Sequence, residues 1–115
     1  MIRKSSDYQV EHRPCGGSQC NFEVRHRFTK EEMFGKARLL AEICFEPGQE
    51  IPLHVHQNDF EVFYVLEGSL VSIDKDGNES PFELGDYMLT GYGDSHNIRN
   101  DSGKPAKIMA IVVDA

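Results

Sequence analysis

His54, His56, Glu61 and His96 are the residues whose types and spacing in this chain could do chemistry. His54 and His56 are separated by one residue, so in an extended segment their imidazoles share a face, because side chains alternate along a strand. Glu61 comes five positions after His56, and the polar Gln57-Asn58-Asp59 between them reads as a turn that brings the carboxylate back beside the rings. Imidazole and carboxylate donors aimed inward from a sheet are what a divalent transition metal takes. Four protein ligands on an octahedral ion leave two positions for water or substrate. Two histidines buried on one face without partners carry a desolvation cost, so burial itself calls for a ligand or hydrogen bonds. The donor set admits one Mn, Fe, Ni, Co, Cu or Zn ion, and no thiolate in it enforces zinc.

A second group of metal-ligating types lies upstream: His12, Cys15, Cys20 and His26, with two, four and five residues between successive members. These gaps match no compact zinc finger, and free thiols on a loop are the default reading. Cys44 falls in an apolar run and reads as a small buried side chain. Three cysteines, an odd number, speak against a disulfide framework and favour a reducing compartment.

The elements that must position these donors read mainly as short strands. Residues 22–28 alternate apolar and charged, with Phe22, Val24 and His26 against Glu23, Arg25 and Arg27. Residues 37–45 place Ala37, Leu39, Ala41, Ile43 and Phe45 on one face. Further strands are expected at 51–56, 60–66, 70–73, 79–83, 86–90, 95–99 and 105–113, punctuated by Gly, Asp-Gly and Asn-Asp-Ser-Gly turns. Asp74-Lys-Asp76-Gly77-Asn78 is a hairpin signal. Residues 1–20 carry few apolar side chains and read as an irregular arm or edge strand. Thr29-Lys-Glu-Glu32 has the capping-box pattern and predicts one short helical turn around Met33-Phe34, ended by Gly35. Many short strands with almost no helix indicate an all-β sandwich or barrel.

The 115 residues make a single domain. Twelve Lys and Arg against 19 Asp and Glu give a formal net charge of −7, which argues against nucleic acid or an anionic membrane as partners. No apolar run approaches the roughly 20 residues of a membrane span, and the N-terminus lacks a signal-peptide core, so the reading is cytoplasmic.

Two blocks carry a resemblance to a known family. In the first, Gly48, His54, His56, Glu61 and Gly68 are separated by five, one, four and six residues. In the second, Gly85, Gly91-Tyr92-Gly93, His96 and Asn100 are separated by five, two and three. Together they resemble the paired signature motifs of the cupin superfamily, with Gly91 standing where the family pattern has Pro. The resemblance implies a double-stranded β-helix, or jelly-roll barrel, over residues 35–115, preceded by an arm, edge strand and helical turn over 1–34. It implies a metal held by His54, His56, Glu61 and His96, structural roles for Asn100 and for Gly48, Gly68, Gly85 and Gly93, and a looser loop before His96 at Gly91. Glu61 is expected beside the strand of His54 and His56, with His96 across from them.

Inward polar or aromatic candidates for contact with a ligand are Tyr64, Tyr87, Tyr92, Arg38 and Arg27, for each of which packing or surface exposure is the commoner role. Two functions of different class are implied. One is a mononuclear metalloenzyme acting on an organic acid, keto acid or sugar as dioxygenase, decarboxylase, isomerase or lyase. The other is a non-enzymatic metal-bearing module for a small ligand. The resemblance favours the enzyme. Apolar residues of both parities in 60–66 and 105–113 call for a covered outer face, and a homodimer is expected, in keeping with the resemblance.

Overall fold

Alternation of apolar and polar residues produces the observed elements directly. The computed structural model describes residues 1–14, 21–91 and 93–115, with the backbone alone at 53 and 54. The described residues form ten strands: β1 (Gln9–Pro14), β2 (Asn21–His26), β3 (Ala37–Phe45), β4 (Glu50–Val55), β5 (Asp59–Glu67), β6 (Ser69–Asp74), β7 (Glu79–Glu83), β8 (Tyr87–Thr90), β9 (Ser95–Arg99) and β10 (Ala106–Asp114). They build two antiparallel sheets, a six-stranded one in the order β1-β2-β3-β10-β5-β8 and a four-stranded one in the order β4-β9-β6-β7. This is a double-stranded β-helix, and the edge strand read from the first twenty residues is β1.

The core lies between the sheets. Val24, Ile43, Phe45, Phe63, Val65 and Ile108 come from the larger sheet, and Leu70, Phe82 and Ile98 from the smaller. Phe22 meets Phe45 edge to face, with ring centroids 5.0 Å apart. Glycines with positive φ mark the corners expected of them, at Gly48, Gly68, Gly85 and Gly93. Asn100 closes the turn after β9 from a fully buried position. Its amide donates to Lys104 O at 2.7 Å and Phe45 O at 3.3 Å, and its Oδ1 accepts from the Ser102 hydroxyl at 2.7 Å.

The predicted turn is present as a single hydrogen-bonded turn, with Met33 N donating to Thr29 O at 3.2 Å, and the described residues contain no helix longer than that turn. The capping box does form: Glu32 N donates to Thr29 Oγ1 at 3.1 Å and Thr29 N to Glu32 Oε1 at 2.9 Å. Left-handed backbone at Phe34 (φ 56) and Gly35 (φ 72) then turns the chain away before a second turn can propagate.

Several carboxylates are held below their usual range: Glu32 by the Arg3 guanidinium and the Thr29 amide, Asp101 by Arg99, Asp74 by the Asn78 and Asp76 amides, and Glu11 by Arg13 and His26. A carboxylate depressed in the folded state contributes stability above its unfolded pKa and loses it as pH falls through the folded one. The thermal midpoint should therefore drop between about pH 5 and about pH 3, and the drop should shrink in a Glu32→Gln, Asp101→Asn double variant. A melt series in which the two proteins fall in parallel would show these pairs to be irrelevant.

Candidate functional site

Glu61 is buried because it shares the parity of Phe63 and Val65 on β5, and its carboxylate points between the sheets. His56 follows β4. The bend at Gln57-Asn58, with Asn58 in left-handed backbone (φ 61), returns the chain into β5. Gly93 N donates to His56 O at 3.0 Å, which ties the loop of the second motif to the end of the first.

The ring of His56 is held at both nitrogens. Nε2 lies 2.9 Å from Glu61 Oε1, and Nδ1 lies 2.9 Å from Asp59 Oδ1. Asp59 forms an ion pair with Arg38, whose Nε donates to Asp114 Oδ1 at 2.7 Å. His56, Asp59 and Glu61 open onto a cavity of about 360 Å³, whose wall also carries Arg13 and Arg38. Glu61 faces a second, smaller cavity in the barrel interior, lined by Phe22, Val24 and Phe63 among others. Arg13 reaches the mouth from β1, where it pairs with Glu11 at 3.1 Å and remains half-exposed.

His54 and His96 are Cα partners in the β4–β9 ladder, which brings their backbones together across adjacent strands. The side chain of His54 lies outside the described residues. His96 is half-buried opposite Asp74 of β6, and its Nδ1 is buried without a hydrogen-bond partner. The expected strand placement is thus corrected. His96, not Glu61, neighbours the His54 strand, and Glu61 comes from the facing sheet, because β5 crosses over directly after the Gln57-Asn58 bend.

Among the described residues, no group of three or more His, Cys, Asp or Glu side chains converges into a cation cage. The chemistry of the donor pair does suit a metal. Two ligand atoms at right angles on an ion, each about 2.1 Å from it, lie about 3 Å apart, and Nε2 of His56 and Oε1 of Glu61 lie 2.9 Å apart.

The other candidates sort by face. Tyr64 and Tyr87 are on the outer side of the large sheet, with rings 4.4 Å apart, and not beside the cavity. Arg27 donates to Ser5 O at 2.8 Å and pairs with Glu42. Of the four that lie among the described residues, only Arg38 is in the cavity wall; Tyr92 lies outside the described residues. His12 and His26 lie in the β1–β2 ladder, with His26 Nε2 2.6 Å from Glu11; Cys15 and Cys20 lie outside the described residues. Cys44 is half-buried on the outer parity of β3 instead of buried in the core, and burial still pushes its thiol pKa up. Besides Arg13, Asp59 is a site residue that sequence reasoning passed over. It looked like part of a polar turn, yet it shares the inward parity of Glu61, Phe63 and Val65, which was the available signal.

Comparison with known proteins agrees with this architecture. The model of the cupin domain family matches residues 41–112. The chain is 35% identical over 114 residues to an oxalate-binding protein of Thermotoga maritima, covering 98% of this chain and 93% of that protein. A solved Thermotoga maritima structure, described as a predicted oxalate decarboxylase, superposes over 100% of both chains with a TM-score of 0.90 at 33% identity. A polyketide cyclase of Streptomyces resistomycificus shares the fold, with a TM-score of 0.77 at 21% identity over 99% of this chain and 80% of that one. The chain is a member of the cupin family.

Proposed function

We propose that this protein binds a small dicarboxylic acid of the oxalate class at a mononuclear divalent metal site formed by His54, His56, Glu61 and His96. The observation that carries the reading is the buried His56–Glu61 pair at 2.9 Å, opening into a cavity whose wall carries Arg13 and, paired with Asp59, Arg38. When bound, the metal supplies a Lewis acid for carboxylate oxygens. His56 and Glu61 present two of its donors from opposite sheets, and the pair is held out of bulk water. Arg13 can exchange its surface contact with Glu11 for a carboxylate of the ligand, since a guanidinium fork matches that group with paired hydrogen bonds. The oxalate-binding relative, similar over 98% of this chain, supports the ligand class.

The test is calorimetry with Mn(II) or Co(II), then with oxalate against acetate. Oxalate should bind the metal-loaded protein at least about tenfold more tightly than the metal-free one, and acetate weakly to both. Equal oxalate affinity with and without metal would remove the metal from the reading. Release of formate in the same samples would make the protein an enzyme and not a holding module.

We further propose that the protein is a homodimer through the outer face of the six-stranded sheet. The register aligns Leu40, Ile111, Val62 and Leu89 in one row and Met109, Tyr64 and Tyr87 in the next. Tyr87 is 73% and Leu89 64% exposed, an apolar surface of the kind that a partner covers. Light scattering at tens of micromolar should give twice the chain mass of 13.0 kDa, and Leu89→Glu should shift it towards monomer. A monomeric wild type would reject the proposal. No helix among the described residues is long and apolar enough to cross a membrane.

A further inference from the structure

We infer that Asp59, itself held by Arg38, is a positioning residue that fixes the proton and the orientation of the His56 ring; its value for metal binding rests on the function proposed above. Only 7% of the Asp59 side chain is exposed, and a carboxylate that deep requires charged or hydrogen-bonding partners. It has one on each oxygen: an Arg38 guanidinium nitrogen on Oδ2 and His56 Nδ1, 2.9 Å away, on Oδ1.

The geometry is set from three strands. Arg38 extends from β3 and also donates to Asp114 Oδ1 of β10 at 2.7 Å. The β10–β5 ladder places Asp114 opposite Asp59, and Ala115 N donates to Asn58 O at 2.8 Å, which pins the bend from which Asp59 emerges. Arg38 has donors only, so Asp59 must accept from it, and a carboxylate accepts on its other oxygen as well. His56 Nδ1 therefore carries a proton. Nε2 faces Glu61 Oε1 at 2.9 Å, a contact that takes a proton of its own while no ion is bound and is the direction in which the proposed ion would bind. A carboxylate behind a ligating imidazole fixes tautomer and ring angle in this way, and losing one lowers metal affinity by about 10–100-fold.

Asp59→Asn tests this with little change of shape. The amide offers one acceptor and one donor group, and Arg38 can use only the acceptor. The amide N–H then faces His56 Nδ1, which must accept, and the ring proton is left on Nε2. Long-range nitrogen NMR of metal-free protein at about pH 8 should show Nδ1 protonated in the wild type and unprotonated in Asp59→Asn. Calorimetry with Co(II) should show the variant binding about 10–100-fold more weakly. A purely structural role would lower the melting temperature without moving the proton.

If Asp59→Asn does not fold, Asp59→Ala serves, with the proton expected on Nε2, which still faces Glu61. Nδ1 unprotonated in the wild type overturns the inference whether or not any variant folds, and so does a proton that stays on Nδ1 in Asp59→Asn. A wild type that binds no Co(II) overturns the metal reading instead, while the nitrogen spectra still decide the role of Asp59.

Discussion

Replacing His56 with Ala is expected to lower Co(II) affinity by roughly 100-fold or more, beyond the loss from removing a supporting group behind a ligand. The change deletes one donor of the closest pair in the site and leaves Glu61 without the imidazole at 2.9 Å. His54→Ala should strip the metal equally, because the β4–β9 ladder sets its backbone opposite His96. The fold should survive both changes, since the sheets are held together by the apolar core between them. His56→Ala nevertheless takes a partner from both Asp59 and Glu61, which are buried, so the metal-free variant should lose about 1–3 kcal/mol. Metal content by mass spectrometry beside a denaturant titration checks both parts. Stoichiometric metal in His56→Ala would place the ion elsewhere, with His12, Cys15, Cys20 and His26 next to be tested.

Much of this site was legible in local sequence because strand parity is a local property. Ala37, Leu39, Ala41, Ile43 and Phe45 share a face in any strand with period two, and the structure buries all five. The spacing of His54, His56, Glu61 and His96 likewise carried the family without any knowledge of pairing. The sheet that each strand joins could not be read in this way. β4 and β5 are consecutive, yet they belong to different sheets, because pairing depends on distant partners: β9 for the first, β8 and β10 for the second. Hence Glu61 and His96 exchanged their expected places. Thr29-Lys-Glu-Glu32, by contrast, was legible locally. The box signals how a helical turn begins, while its propagation is stopped by Phe34 and Gly35 in left-handed backbone. Asp59 was hidden by composition, since a polar residue after Gln57-Asn58 reads as turn although its register makes it core.

Among the described glycines, Gly68→Ala is expected to be the most damaging substitution, at about 3 kcal/mol or more. Gly68 stands where the chain leaves β5 of the large sheet for β6 of the small one, with φ at 78°. A Cβ there would come 2.8 Å from Pro105 O and 3.0 Å from Ala106 Cα, both backbone atoms at the start of β10. Neither can yield without moving a strand that pairs on both sides, with β3 and with β5. The cost thus has two parts, the left-handed conformation and the overpacking, each about 1–3 kcal/mol. Gly48 separates them: it has φ 84° but nothing within 4 Å of an added Cβ. Gly48→Ala should therefore cost only the conformational part, about 1 kcal/mol. Since a domain's whole stability is about 5–15 kcal/mol, Gly68→Ala should lower the urea midpoint visibly at an unchanged slope. Equal losses in the two variants would mean that the Pro105 contact relaxes freely.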